Sequence, residues 1–212
     1  ALHTQRMCLK VTLAGSVPCR TVASAACRAC VLWVLDLVRK GVVIKKFTLT
    51  LGYDRTSIKL QYRGRTEAEN TFIVSKTGKL YKGKVSKDHY GRYIPYHAHK
   101  TGNLERWTSS TKIIVDAMMK VYDEIINPDL YIRRVTLCTC NLLPEGQIPD
   151  ETKPMQLELF VDYEELERQE RARREKEQRE RQLQRATLFL QDKYGKNAVL
   201  KGMNLMQGGT TI

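Results

Sequence analysis

The sequence predicts an α+β fold in which an antiparallel sheet carries two helices on one face, followed by a linker and a long charged C-terminal helix. Three observations predict it. Two segments space their apolar residues as helices do, others alternate apolar and polar residues as half-buried strands do, and past residue 143 the apolar pattern gives way to Pro, Gly and charge. The order helix, strand, strand, helix, strand, with a further strand before it, leaves the second sheet face free to bind.

Composition changes near residue 31 and near residue 144, which divides the chain into residues 1–30, 31–143 and a remainder made of a linker at 144–161 and a charged tail at 162–212. Residues 1–30 are rich in Ala, Cys and Arg and are set apart as an atypical N-terminal segment. Within them Met7, Leu9, Val11 and Leu13 alternate as a strand would. Arg20 and Arg28 interrupt the apolar part of residues 9–29, which a secretory signal avoids.

Val31, Val34, Leu35 and Val38 follow helical spacing, and Arg39, Lys40 and Gly41 supply basic last-turn residues and a stop. Residues 42–53 read as a strand with Phe47, Leu49 and Leu51 on one face and Lys46, Thr48 and Thr50 on the other. Residues 64–87 are polar and Lys-rich and read as an insertion or flexible loop, with a hairpin around Thr77-Gly78 as the alternative. A short strand is expected at 90–99. Residues 108–126 open on a Thr/Ser cap cluster and put Ile113, Ile114, Ala117, Met118, Val121 and Ile125 on one helical stripe, ended by Asn127-Pro128. Residues 131–142 form the last expected strand, with Ile132, Val135 and Leu137 apolar.

Pro144, Gly146, Pro149 and Pro154 mark a linker, and a charged run follows at 162–185. There Glu164 and Arg168, Glu167 and Arg171, and Glu170 and Arg174 sit four apart; each pair contributes only about 0.2–0.5 kcal/mol, but together they favour a solvated helix. It has almost no apolar stripe before Leu183, so a coiled coil is not indicated.

The chain has 212 residues, 42% of them hydrophobic, which suffices for one core. Its formal net charge of +13 points to a polyanionic partner, because a positive surface gains affinity by releasing the counterions of phosphate. The apolar run at 31–38 is short and broken by Asp36, so membrane insertion is not expected. The six cysteines, Cys8, Cys19, Cys27, Cys30, Cys138 and Cys140, are expected as reduced thiols.

Six motifs occur in fixed order: Val34-Leu-Asp-Leu-Val-Arg-Lys-Gly41, Asp88-His-Tyr-Gly-Arg-Tyr-Ile-Pro-Tyr-His-Ala-His99, Thr108-Ser-Ser-Thr111, Tyr131-Ile-Arg-Arg-Val135, Gln156-Leu-Glu-Leu-Phe160 and Tyr194-Gly-Lys-Asn-Ala-Val-Leu-Lys-Gly-Met-Asn204. Together they resemble the C-terminal part of bacterial UmuC/DinB-like Y-family DNA polymerases, from about Val34 onward. The resemblance implies a little-finger domain at 31–143 that grips the primer-template duplex, and a tail that recruits the replication sliding clamp. It implies DNA repair by translesion synthesis, within the SOS response, in the bacterial cytoplasm at the nucleoid. In that family magnesium is held by palm carboxylates. Asp36, Asp54, Asp88 and Asp116 match no palm motif, so no cofactor and no polymerase activity are expected of this chain alone.

The resemblance sets Arg133 and Arg134 against the template backbone, where guanidinium forks suit phosphate oxygens. Lys45, Lys46 and Thr48 with Thr50, and Arg92, Tyr93, His97, His99 and Lys100, extend the same basic face. Ser109, Ser110 and Thr111 offer hydroxyls and helix N-terminal amides to a phosphate, or simply cap a helix. Gln156, Leu157, Leu159 and Phe160 resemble a clamp-binding peptide: the Gln hydrogen-bonds at a pocket rim while Leu and Phe fill an apolar cleft. No small-molecule substrate is expected.

Two other classes compete. His97-x-His99 with Cys138-x-Cys140, and Cys27-x-x-Cys30, suggest a zinc-dependent nucleic-acid module, although the spacings lack a second CxxC. The helix at 162–185 suggests a helical adaptor. Neither a nucleophile triad nor a phosphate-cradling Gly loop is present.

Overall fold

A computed structural model of the chain describes residues 7–17, 19–139, 141–149, 163–195 and 198–199, with the backbone alone for residues 14–17, 19–21, 163 and 166. Along them run β1 (Met7–Val17), α1 (Cys19–Arg39), β2 (Val42–Tyr53), β3 (Ile58–Tyr62), β4 (Thr71–Val74), β5 (Val85–Lys87), β6 (Tyr93–Pro95), β7 (Ala98–Thr108), α2 (Thr111–Ile125), β8 (Ile132–Thr139), β9 (Leu142–Pro144) and α3 (Tyr163–Tyr194).

The alternation in β2 sets the register of the main sheet. Its strands lie in the order β1, β8, β2, β7, all antiparallel, with β9 pairing the start of β2. Leu49 faces Leu137 of β8, which faces Leu9 of β1; Leu51, Val135 and Val11 form the next row. Burying each such side chain contributes roughly 1.5–3 kcal/mol, so a one-residue slip would expose the whole inner face. α1 covers that face with Val22, Ala26, Cys30, Trp33, Val34 and Leu37, and α2 with Ile114, Met118, Val121 and Tyr122. α2 starts where Ser110 Oγ accepts from the Ile113 amide at 3.4 Å. The fold is thus α+β with both helices on one side of the antiparallel sheet, and a further C-terminal helix.

The structure departs from the expectations in five places. The boundary near residue 31 falls inside α1, and residues 7–30 supply an edge strand and the first turns of that helix. Their buried positions include Ala26, Ala29 and Cys30, small side chains with little hydropathy contrast, which hides the period. Residues 64–87 are not a loop: β3 pairs β4, an isolated bridge joins Ile73 to Leu80 around the Gly78 turn, and β5 pairs β6. Ile58, Phe72 and Val74 bury the inner side of this small sheet, and its lysines lie outside. The strand expected at 90–99 is two, β6 and the first residues of β7, and β7 continues to Thr108.

α3 is not solvated along its whole length. Glu177, Glu180, Gln184 and Leu188, three or four apart, form a seam against the domain. Glu177 pairs with Arg106 and Arg181 with Glu145. Gln184 Nε2 donates to Ser109 O at 3.0 Å and to Thr111 Oγ1 at 2.8 Å, Leu188 packs on Val31 and Leu35, and Arg39 reaches Asp192 at 3.1 Å.

Finally, Cys8 and Cys138 are disulfide-bonded rather than reduced, because the β1–β8 register sets them opposite one another with Cα atoms 4.1 Å apart. Cys30 behaves otherwise: burial first, then the nearby Cys27, pushes its thiol up to about 12, so it is a protonated core residue. Cys140 lies outside the described residues, and no helix among those described is long and apolar enough to cross a membrane.

Candidate nucleic-acid interface

Because side chains alternate along a strand, the residues between the core positions share the face that α1 and α2 leave uncovered. Three rungs cross the sheet there. Cys8, Cys138, Thr48 and Thr101 form one; Lys10, Thr136, Thr50 and His99 the next; Thr12, Arg134 and Gly52 the third. Lys46 and Asn103 continue the face at its other end. The hydroxyls of Thr48 and Thr101 lie 3.1 Å apart. The surface is flat, polar and short-chained, with cations at its margins.

Strict alternation would send Arg133 and Arg134 to opposite faces. A β-bulge prevents this. Tyr53 pairs with Ile132 while its neighbour Gly52 pairs with Arg134, so Arg133 is an extra residue on β8. Ile132 and Val135 stay buried, and both arginines are exposed. Gly52 leaves room beside Arg134: a Cβ there would meet Arg134 Cβ at 3.3 Å.

Arg133 Nη1 donates to Asp54 Oδ2 at 3.0 Å, while its side chain stays 59% exposed. Asp54 also accepts from the Thr56 amide and hydroxyl, each at 2.8 Å. Burial works against the Asp54 charge, but these hydrogen bonds and the Arg133 guanidinium outweigh it and hold the carboxyl below its ordinary range. Arg133 is thereby oriented, whereas no carboxylate among the described residues pairs with Arg134.

The face ends in an open groove of about 720 Å³, whose lining includes Arg55, Arg92, His89, His97, Arg133 and Arg134, with Asp54 and Asp88 as its acids. Arg92 Nε donates to Asp88 Oδ2 at 2.7 Å, and Asp88 Oδ1 accepts from the amides of Tyr90 and Arg92, both at 2.9 Å. Four arginines against two aspartates leave the groove positive.

The other expected contacts sort clearly. Lys46, Thr48, His97 and His99 lie on the uncovered side, and Arg92 on the groove wall. Lys45 is half-buried, one position out of phase with Lys46. Lys100 is a correction: it pairs with Leu49, an inward position, and forms an ion pair with Glu124 of α2, on the helical side. Tyr93 packs edge-on against Phe72 at 5.0 Å and accepts from Asn70 Nδ2 at 3.0 Å, a structural role.

Ser109 and Ser110 are corrected as phosphate contacts, and the capping alternative holds at Ser110. Ser109 is buried, and Ser110 Oγ donates to Glu180 Oε2 at 2.6 Å, while Glu180 Oε1 accepts from the Lys112 amide at 3.1 Å. The α2 N-terminus does hold an anion, but it is the protein's own carboxylate. Gln156, Leu157, Leu159 and Phe160 lie outside the described residues.

Sequence reasoning missed Lys10, Thr12 and Arg55. The alternation of Met7 to Leu13 already implies an outward Lys10, but the change of composition near residue 31 sets the segment apart from the domain. Cys138, one member of the zinc alternative, is engaged by Cys8. Compared with known protein families and with curated proteins, the sequence matches no family model and no curated protein.

Proposed function

We propose that this chain is a DNA-binding, clamp-recruiting part of a Y-family translesion DNA polymerase, with a little-finger type domain that holds primer-template DNA by its backbone. The reading places it in the bacterial cytoplasm at the nucleoid, in damage bypass. Binding rather than nucleotidyl transfer is proposed, since the sequence has no match to the palm that holds magnesium in that family.

One observation carries the DNA-binding part: the bulge at Arg133 brings two adjacent arginines onto a sheet face that no helix covers among the described residues. Guanidinium groups there, with the threonines of β2 and Lys10 and Lys46 beside them, suit phosphate oxygens without reading bases. Such contacts serve a protein that moves along any sequence. The ordered motifs support the family assignment, and the peptide at 156–160 supports the clamp.

The test is a salt titration of primer-template binding. Arg133→Ala with Arg134→Ala is expected to weaken binding and lower the slope of log affinity against log salt by about two. Equal affinity and slope in the double variant would overturn the sheet-face assignment. Leu159→Ala with Phe160→Ala is expected to abolish retention on immobilised sliding clamp and to spare DNA binding; retention unaffected by the pair defeats the tail assignment.

A further inference from the structure

Next to the groove, at one end of the basic face, stand two exposed tyrosine rings, each in contact with a groove-lining neighbour. Tyr90 is 76% exposed and Tyr96 44% exposed. Each adjoins a groove-lining residue: Arg92 lies over the Tyr90 ring at 4.7 Å, and His97 stacks on Tyr96 with centroids 4.2 Å apart and planes at 28°. His99 continues the ladder at 5.4 Å from His97. Their supports are fixed in place. The Asp88 carboxylate binds the Tyr90 and Arg92 amides and the Arg92 guanidinium, closing a turn whose Gly91 has φ +73°. Holding the rings in advance lowers the ordering cost of a ligand that stacks on them.

Exposed ring faces beside arginines suit a particular kind of nucleic acid. Bases in a duplex are stacked on each other and show only their edges in the grooves, so a tyrosine face gains little from them. Unpaired bases have a free face, and stacking on aromatic side chains with arginine at the backbone is the usual way in which single strands are held. The groove volume of about 720 Å³ falls in the range of sites that take nucleotide-sized ligands.

We infer that the groove lined by Arg92, His97 and Arg134 binds the unpaired nucleotides of a single-stranded DNA overhang, stacking their bases on the adjoining Tyr90 and Tyr96 while the sheet face holds the adjoining duplex. The inference rests on the DNA-binding reading above and adds a second contact to it: the sheet takes phosphates of paired DNA, and the ring-lined end takes bases. Asp54 and Asp88 serve it by orienting Arg133 and Arg92.

The experiment measures binding of the full chain to three probes of equal duplex length: blunt duplex, duplex with an oligothymidine overhang, and duplex with an abasic overhang of the same length. The abasic overhang keeps the phosphates and removes the bases. The thymidine overhang is expected to bind about tenfold tighter than blunt duplex, and the abasic overhang to lose most of that gain. Tyr90→Ala with Tyr96→Ala, at exposed positions that bury no core, is expected to erase the thymidine advantage and leave blunt-duplex affinity unchanged. Equal binding of thymidine and abasic overhangs, or an advantage that survives the tyrosine changes, overturns the inference while duplex binding still stands. Absence of salt-dependent duplex binding overturns the DNA-binding reading and this one with it.

Discussion

Glu180 of α3 accepts a hydrogen bond of 2.6 Å from the hydroxyl of Ser110, 70 residues earlier in the chain, and caps a helix that is not its own. The same carboxylate takes the Lys112 amide, so a negative charge from the tail neutralises the positive end of α2. Glu180→Ala is expected to cost about 1–2 kcal/mol, since it removes two charge-assisted hydrogen bonds at a half-buried site. Urea denaturation measures the loss. Hydrogen exchange at the Lys112 and Ile113 amides should quicken in the variant, and unchanged exchange there would show that the carboxylate does not cap the helix.

Gly102 stands opposite Phe47 in the β2–β7 ladder, with the aromatic ring lying over it. A Cβ at residue 102 would come within 2.4 Å of the Phe47 ring, itself fully buried. Gly102→Ala is therefore expected to destabilise by about 1–3 kcal/mol, although alanine suits a strand better than glycine. A thermal midpoint equal to that of the parent would contradict this packing. Pairing Gly102→Ala with Phe47→Leu should recover part of the loss of the glycine change, because the smaller side chain vacates the contested space.

Asp54 gives the protein an acid-sensitive joint. Its carboxyl is held below its ordinary value of 3.8, burial opposing the charge while hydrogen bonds from Thr56 and Arg133 outweigh that effect. The group binds protons more readily in the unfolded chain, so its stabilisation is full above about pH 4 and fades as pH falls through the depressed folded value. Asp54→Asn is expected to lower stability by about 1–2 kcal/mol at neutral pH and to flatten the fall below pH 4. Stability curves of parent and variant that run parallel from pH 6 to pH 2 would refute the assignment.

The layered fold was legible where side chains differ sharply in polarity. β2 and α2 could be read because Phe47, Leu49 and Leu51, and then Ile114, Met118 and Val121, recur at clean spacing among polar neighbours. The N-terminal half of α1 could not, since it packs through alanine and cysteine. The seam of α3 could not either, because three of its four contact residues are Glu or Gln, read as solvated until a tertiary partner is known. The site was legible as chemistry and less so as geometry. Arg133 and Arg134 share a face through a bulge that alternation argues against, and Lys100 leaves the uncovered face for Glu124 because the register pairs it with Leu49. The ring cluster around Tyr90 and Tyr96 left no periodic trace at all.

The Cys8–Cys138 bond spans 130 residues of sequence and ties an edge strand to its neighbour. Closing so long a loop restricts the unfolded chain, an effect of about 2–4 kcal/mol. Reductant, or Cys8→Ser, is expected to lower the urea midpoint, with amides of residues 8–12 exchanging first because β1, among the described residues, has a partner on one side only. Identical midpoints with and without reductant would count against this cross-link.

The clasp between α3 and the domain runs from Glu177 to Asp192, while the ion pairs resolved nearer the start of the helix, Glu165 to Arg168, Glu167 to Arg171 and Glu170 to Arg174, lie within it. At 1.5 Å per residue, the portion preceding Glu177 is a mast about 20 Å long, stepped in the body at its far end. Its foot bears on the beginning of α2, where Glu180 and Gln184 meet Ser110, Thr111 and the Lys112 amide.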